Sequence, residues 1–404
     1  MTKAALTASF VVLLAASLLH AEEPTVADKP LLLYRTEFAD PKADGWECSA
    51  GWSVVKGGLM TPQGVGNFSQ RAWMPGRAYT SELRSLRYRF TPQVKGTRFA
   101  AGSARSVTAY SKSSLCQVDD ENHLLKIHSR NDKENKMWDF EPQVVTSVPL
   151  PPLTPGTEYI VELRRNKRIL TATVSDATSG KVLASVSDGT NDTPANNLTS
   201  GELNETPILL NLAGQTLFQE CIMDAPVARP KVFITGDSIT NGYGIRLGYR
   251  WADKVREAVG GRAMLAGEDG ASSALIPGLL IGEIPAARPE WIICNLGTNG
   301  RDAGLATYQA QINSLISYCK ENDIRLALAV FPTTQGRQNA ALRDWLRTLK
   351  GVPLIRFDKA LSINNDGETI DYEKLYINVG AHPNEAGNEV MYQQVRKDLP
   401  ELFQ

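Results

Sequence analysis

The sequence predicts an all-β sandwich followed by an α/β domain with a doubly wound parallel sheet. From residue 231 onward, five short apolar runs alternate with amphipathic stretches, a pattern typical of parallel strands that helices cover on both faces. Residues 24–225 instead show short alternating runs separated by Gly, Pro, Asn and Asp, which favour an antiparallel sandwich. The proline-rich linker 226–230 separates the two patterns, so the α/β domain is expected to cover residues 231–404.

Composition and charge exclude several classes of function. The chain has 404 residues, of which 42% are hydrophobic and 22% are charged, as is usual for a soluble globular protein. Its net charge of −1 gives no electrostatic basis for binding nucleic acid or an anionic membrane. After the N-terminal segment, no apolar stretch reaches the ~18 residues of a membrane span, so no membrane insertion of the mature chain is expected.

The N-terminus has the pattern of a secretory signal peptide. Lys3 precedes the apolar stretch Ala4–Leu19, and Ala21 stands before a polar segment. Cleavage is therefore expected to remove residues 1–21 and to place the mature protein in the periplasm or outside the cell, and an uncleaved anchor is the alternative. In that environment any disulfide is expected to join two of the three cysteines Cys48, Cys116 and Cys221.

The sandwich region contains one clear hairpin and a candidate carbohydrate-binding surface. Residues 159–165 and 169–174 are predicted to pair around a turn, where the basic run Arg164, Arg165, Lys167 and Arg168 is expected to be solvated. The opening segment, residues 37–60, resembles the first strands of laminin-G-like or concanavalin-like jelly rolls. Four tryptophans are candidates for stacking on sugar rings; two of them are predicted to be core residues instead (Trp46, Trp52), and two remain candidates (Trp73, Trp138).

The α/β elements follow one another in regular order. Strands are predicted at 231–235, 262–266, 291–296, 326–331 and 353–357. Helices are predicted at 249–259, 304–321, 337–349 and 384–398. The carboxyl ends of such strands meet at one edge of the sheet, where open α/β folds bind their ligands.

Polar residues with complementary chemistry follow these strands. Ser238 lies where the first strand gives way to a helix, and His382 is the one histidine in residues 231–404. A serine nucleophile needs a base to accept its proton, and histidine is the usual one. Acyl transfer also needs donors for the developing oxyanion, which Gly270, Asn299 and the backbone N–H of Ser238 can supply.

These residues carry a family resemblance. Gly236-Asp237-Ser238, Gly270, Gly297-Thr298-Asn299 and His382-Pro383-Asn384 resemble, in order and spacing, the four sequence blocks of the GDSL or SGNH hydrolases. The resemblance covers residues 231–404. It implies a flavodoxin-like sheet of five strands and ester hydrolysis without a metal or other cofactor. It further implies Ser238 as nucleophile, His382 as base and then acid, and an oxyanion hole formed by Ser238, Gly270 and Asn299.

Two positions depart from that family pattern. Val379 stands where an Asp usually orients the histidine, three residues before it. Either a Ser–His dyad operates with a backbone carbonyl holding the imidazole, or a distant acid such as Asp371 or Asp358 substitutes. Gly300 also stands where an Asp often follows the asparagine, with Asp302 nearby.

The function predicted from these features is an exported serine esterase that removes O-acetyl groups from carbohydrate. Acylated carbohydrate is thus the expected substrate and partner, favoured by export, by the appended sandwich and by the lack of a long apolar segment for an acyl-chain lid. A lipid-directed esterase or lysophospholipase is one alternative. A carbohydrate-binding protein with a degenerate hydrolase domain is the other, and Val379 is the reason for it.

Overall fold

The computed structural model describes residues 30–64, 70–104, 113–129, 144–167, 169–188, 206–227, 229–334, 336, 338–369, 372, 376–377 and 382–404. The predicted signal peptide, Trp138 and Arg168 lie outside these residues. Among the helices described, none combines the length and apolar character that crossing a membrane requires.

The N-terminal part of the described chain forms two antiparallel sheets. The first has eight strands: β1 (Leu31–Thr36), β3 (Ser53–Val55), β4 (Gly58–Met60), β6 (Leu83–Pro92), β11 (Tyr159–Asn166), β12 (Ile169–Asp176), β13 (Val182–Ser187) and β15 (Thr216–Ala225). The second has seven: β2 (Glu47–Cys48), β5 (Arg71–Trp73), β7 (Arg98–Ala104), β8 (Ser113–Asp119), β9 (Leu124–Ser129), β10 (Val144–Pro149) and β14 (Thr206–Ala213).

The two sheets share a core of alternating inward side chains. Phe90 of β6 meets Phe99 of β7 with ring centroids 4.8 Å apart, in an edge-to-face arrangement. The predicted hairpin is confirmed, because β11 and β12 pair in continuous antiparallel register up to Asn166 and Ile169. Trp46 is buried, as predicted for a core residue, and donates its indole N–H to the Tyr34 hydroxyl.

The C-terminal part of the described chain contains a parallel sheet of five strands. These are β16 (Val232–Gly236), β17 (Ala263–Gly267), β18 (Trp291–Asn295), β19 (Arg325–Ala329) and β20 (Leu354–Ile355), in the spatial order β17-β16-β18-β19-β20. The helices are α1 (Ser238–Asn241), α2 (Trp251–Ala258), α3 (Ile276–Ile281), α4 (Glu283–Ala287), α5 (Leu305–Glu321), α6 (Ala340–Thr348), α7 (Phe357–Ala360) and α8 (Glu385–Asp398). A short pair, β21 (Tyr376–Ile377) and β22 (His382–Pro383), precedes α8.

The predicted strands agree with this sheet except at the last one. The fifth was predicted to span 353–357, but β20 has only two residues and Phe357 already begins α7. The backbone N–H of Arg356 donates to the Asp398 carboxylate of α8 at 2.8 Å. Beyond Ile355, the carbonyl of Val330 accepts from the N–H of Asp358 at 2.9 Å, and Asp358 already belongs to α7, so the strand ends where this helical turn begins.

The segment 78–82 of the sandwich packs directly against the parallel sheet. Glu82 N–H donates to the carbonyl of Leu265 on β17 at 2.8 Å, which covers the outer edge of that strand. Glu283 of α4, itself fully buried, accepts from the backbone N–H of Thr80 at 2.7 Å and from that of Ser81. Burial raises the pKa of Glu283, although these donors oppose the shift.

The basic hairpin tip is solvated only in part: Arg164 is exposed as predicted, whereas Arg165 is not. Arg165 is only 5% exposed and donates from Nε to the Lys167 carbonyl at 3.0 Å. The Lys167 N–H donates in turn to the carbonyl of Glu82 at 2.8 Å. The tip therefore packs onto the segment 78–82, which contacts the parallel sheet. This burial lowers the pKa of Arg165 to about 10.

The cysteines form no disulfide. All five lie within the described residues and all are free thiols, including the three to which any disulfide was assigned. Cys116 and Cys221 belong to the apolar core, whereas Cys48 is exposed on the short strand β2. Burial accordingly raises the pKa of the Cys116 thiol to about 12.

Candidate active site

Ser238 lies at the turn between β16 and α1, at the carboxyl edge of the parallel sheet. Asp237 caps the helix, because its Oδ1 accepts from the Ile239 N–H at 2.9 Å. A Cβ at Gly236 would lie 2.0 Å from Thr240 Oγ1, so only glycine lets the helix turn back this tightly on the strand. The turn leaves the Ser238 side chain partly exposed at the sheet edge.

His382 reaches the same place from the other end of the domain. It lies on β22 immediately before α8, whose N-terminus is capped by Asn384 through the Gly387 N–H at 2.9 Å. Its Nε2 lies 2.8 Å from Ser238 Oγ. The structure thus brings together two residues that are 144 positions apart in the chain.

Asn388 ties the two sides of this pair together, a role that the sequence does not reveal. Its Oδ1 accepts from the Trp251 N–H at 3.0 Å, and its Nδ2 donates to the Pro383 carbonyl at 3.2 Å. Trp251 in turn donates its indole N–H to the Ile239 carbonyl of α1 at 3.3 Å. The one signal for Asn388 in the sequence was its position, because it is a polar residue on the face of the last helix that is buried.

Tyr243 contacts the imidazole directly and was also missed. The two ring centroids of Tyr243 and His382 are 4.6 Å apart, with an interplanar angle of 32°. The Tyr243 N–H donates to the Ser238 carbonyl at 2.9 Å, so the same residue contacts both members of the pair. Because the Tyr243 side chain is 38% exposed, it forms part of the mouth of the site.

The Tyr243→Ala variant is expected to lower kcat for an acetyl ester by about three- to ten-fold, because an aromatic pair contributes roughly 0.5–1.5 kcal/mol to holding the imidazole. Tyr243→Phe keeps the ring and is expected to retain wild-type kcat. Initial rates at saturating substrate measure both effects. Equal losses in the two variants would show that the hydroxyl matters and that ring stacking does not.

The predicted oxyanion residues lie in loops that are bonded to each other. Asn299 donates from Nδ2 to the Ala271 carbonyl at 2.9 Å. On the other side, Asn241 of α1 donates to Asp269 Oδ1 at 2.9 Å. Gly270 lies between these two contacts with φ +74°, a conformation that favours glycine. Because a side-chain amide has two N–H groups, Asn299 can hold Ala271 with one and offer the other to a ligand.

Gly300 packs closely against α6. A Cβ at this position would lie 2.6 Å from Cδ2 of Leu342, so an aspartate here would require the Leu342 side chain of α6 to shift. The nearby Asp302 instead accepts from the Ala341 N–H at 2.9 Å, at the start of that helix.

The group that orients His382 stays a prediction. Val379 and Asp371 lie outside the described residues. Asp358 is bound by Arg347 and Arg356, each within 3.0 Å of its carboxylate oxygens, and not by the histidine. Among the described residues, no group of three His, Cys, Asp or Glu side chains is placed to hold a metal ion.

Comparison with known proteins finds one family model that matches the C-terminal part of the chain. Residues 234–390 match the model of the GDSL-like Lipase/Acylhydrolase family, which confirms a GDSL-like domain in that range. No protein of curated function matches the chain significantly.

Three solved structures illustrate what the chain is similar to. A protein assigned to the lipolytic G-D-S-L family from Desulfitobacterium hafniense is 19% identical over 42% of this chain and 99% of its own, with a TM-score of 0.38. A GDSL-like lipase from Bacteroides thetaiotaomicron is 15% identical over 42% of this chain and 87% of its own, with a TM-score of 0.34. The carbohydrate-binding module CBM66 from Bacillus subtilis is 14% identical over 45% of this chain and 96% of its own, with a TM-score of 0.32.

Proposed function

We propose that this protein is an exported serine esterase that removes short acyl groups, above all O-acetyl groups, from carbohydrate. The observation that carries the proposal is the 2.8 Å contact between Ser238 Oγ and His382 Nε2 at the carboxyl edge of the parallel sheet. This is the separation at which a base can accept the serine proton. The GDSL-like domain at residues 234–390 supports the same chemistry.

The proposed reaction proceeds through an acyl-enzyme. Ser238 Oγ attacks the ester carbonyl while His382 Nε2 takes the hydroxyl proton, and a tetrahedral intermediate forms. The imidazolium then gives this proton to the departing sugar oxygen, which leaves an acetylated Ser238. Water next loses a proton to His382 and attacks the acetyl group, and the return of the proton to Oγ releases acetate and restores the serine.

The loops around Ser238 supply the donors that this reaction needs. The N–H groups of Ser238 and Gly270 and the second amide N–H of Asn299 would bind the oxyanion, and each such donor typically lowers the barrier by ~3–4 kcal/mol. The contact from Asn299 to Ala271 holds both loops in place before substrate arrives. Catalysis in this scheme rests on preorganised hydrogen bonds of the protein.

The substrate class rests on the architecture of the whole chain. The signal peptide predicted at residues 1–21 supports export, and a sandwich of antiparallel sheets precedes the hydrolase part. We infer a jelly-roll fold for the sandwich and a flavodoxin-like fold for the sheet. The strand order β17-β16-β18-β19-β20 supports the latter, because it equals 2-1-3-4-5 in chain order.

The proposal is tested with a fluorophosphonate probe and with nitrophenyl esters of different chain length. We expect mass spectrometry to find the adduct on Ser238, and we expect kcat/KM for the acetyl ester to exceed that for the octanoyl ester by at least about ten-fold, or ~1.4 kcal/mol. Acetylated xylan and a lysophospholipid then serve as natural-type substrates, with acetate and fatty-acid release as the readouts.

Each contrary result points to a defined alternative. A strong preference for octanoyl esters and for the lysophospholipid would replace the carbohydrate esterase by a lipid-directed one. An absence of both turnover and adduct would leave a binding protein with a degenerate hydrolase domain.

A further inference from the structure

A buried cluster of four charged side chains joins the sandwich to the helix that carries Ser238. Glu82, just before β6, meets Arg250 in a two-pronged contact of 2.8 and 3.1 Å, and Arg256 reaches the same carboxylate at 2.6 Å. Asp253 completes the cluster by binding Nε and Nη2 of Arg250, each at 2.6 Å. The Arg250 and Glu82 side chains are 1% and 5% exposed, so water does not screen this contact.

Arg250 also holds the end of the nucleophile helix. Its Nη1 donates to the carbonyl of Asn241, the last residue of α1, at 3.3 Å. Its aliphatic stem packs on Gly242, where an added Cβ would lie 2.3 Å from Arg250 Cγ. A helix of four residues has little stability of its own, and its final carbonyls need donors from elsewhere. Arg250 therefore fixes where α1, and with it Ser238, lies.

Glu82 in turn fixes the guanidinium of Arg250. A two-pronged carboxylate contact sets both the plane and the position of a guanidinium. Burial opposes ionisation of Glu82, but Arg250 and Arg256 outweigh it and lower the pKa of Glu82, so the carboxylate stays charged at neutral pH. The backbone of Glu82 is also held, because its N–H bonds Leu265 on β17 and its carbonyl accepts from Lys167.

We propose that the sandwich takes part in catalysis through Glu82, a positioning residue that holds Ser238 in register with His382 by way of Arg250 and α1. This inference rests on the proposed esterase function. It implies that the hydrolase part needs the sandwich for its reaction rate and not only for substrate binding.

The test replaces Glu82 by the isosteric glutamine in the full-length chain. We expect kcat for the acetyl nitrophenyl ester to fall about ten- to hundred-fold, because small misplacements of a reacting group have effects of this size. KM is expected to stay within about two-fold, since the substrate-binding loops are unchanged. The rate is divided by the concentration of active sites, which is measured as the amount of Ser238 that a fluorophosphonate labels. The second-order rate constant of this labelling is expected to fall in parallel with kcat.

Glu283→Gln is the matched control. This second buried carboxylate also joins the two parts of the chain, through Thr80 and Ser81, but it is bonded to neither Arg250 nor α1. Its replacement is expected to lower the unfolding midpoint while kcat per labelled site stays within about two-fold of wild type. Equal kcat in wild type and Glu82→Gln, or equal losses in both variants, would overturn the positioning role.

A double variant covers the case in which Glu82→Gln does not fold. The cluster holds two carboxylates and two guanidinium groups, so Glu82→Gln leaves one positive charge unbalanced. Glu82→Gln/Arg256→Gln removes one of each and keeps Arg250 with Asp253. It is expected to show the same loss of kcat, and a wild-type rate would overturn the proposal. Inactive wild-type protein would instead refute the esterase function itself.

Discussion

The Ser238→Ala variant is expected to hydrolyse acetyl esters about 10⁵-fold more slowly than the wild type, because loss of a serine nucleophile removes the acyl-enzyme route and leaves only binding and oxyanion stabilisation. Ser238 Oγ makes its 2.8 Å contact with His382 at the sheet edge, and alanine removes the atom that would attack. Initial rates with acetyl nitrophenyl ester and with acetylated xylan measure kcat, and the fluorophosphonate adduct should disappear with the hydroxyl.

Ser314→Ala provides the control for Ser238→Ala. Ser314 is an exposed serine of α5 whose hydroxyl bonds the Gln311 carbonyl at 2.7 Å, so its loss should leave the rate unchanged. Unfolding curves of both variants establish that the fold is intact. A Ser238→Ala protein that keeps the wild-type rate would mean that another group performs the hydrolysis, and the assignment of the nucleophile would fail.

The predicted site residues converge because of how parallel sheets are built. Each of the blocks containing Ser238, Gly270 and Asn299 follows a strand of one parallel sheet, and such strands all end at the same edge. Periodicity and glycine breaks were enough to find those strands. The end of β20 was not predictable in this way, because Phe357 continues the apolar pattern of the strand but already begins α7.

The residues that sequence reasoning missed act across long separations. Glu82 and Arg250 are 168 positions apart, and in the sequence Glu82 resembles any surface glutamate before a strand. Arg165 was expected in solvent for the same reason, since its burial follows from the packing of a hairpin tip against another part of the chain. Local patterns locate strand ends and motifs, whereas contacts between the sandwich and the α/β part arise only when both have folded.

The His382→Ala variant is expected to lower kcat by about 10⁴-fold, because without a base the serine hydroxyl keeps its proton and the leaving sugar oxygen receives none. The chain offers no second histidine in residues 231–404 to take over this role. The exposed His123 of the sandwich supplies the control, and His123→Ala should retain full activity.

Added imidazole separates a lost base from a damaged site. In His382→Ala the ring of Tyr243 still borders the vacated space, so free imidazole is expected to restore kcat in proportion to its concentration, while Ser238→Ala gains nothing from it. Since the proposed nucleophile and base handle the same proton, Ser238→Ala/His382→Ala should be no slower than Ser238→Ala alone. Losses that multiply would show that the two residues act independently, and would contradict a shared acyl-enzyme mechanism.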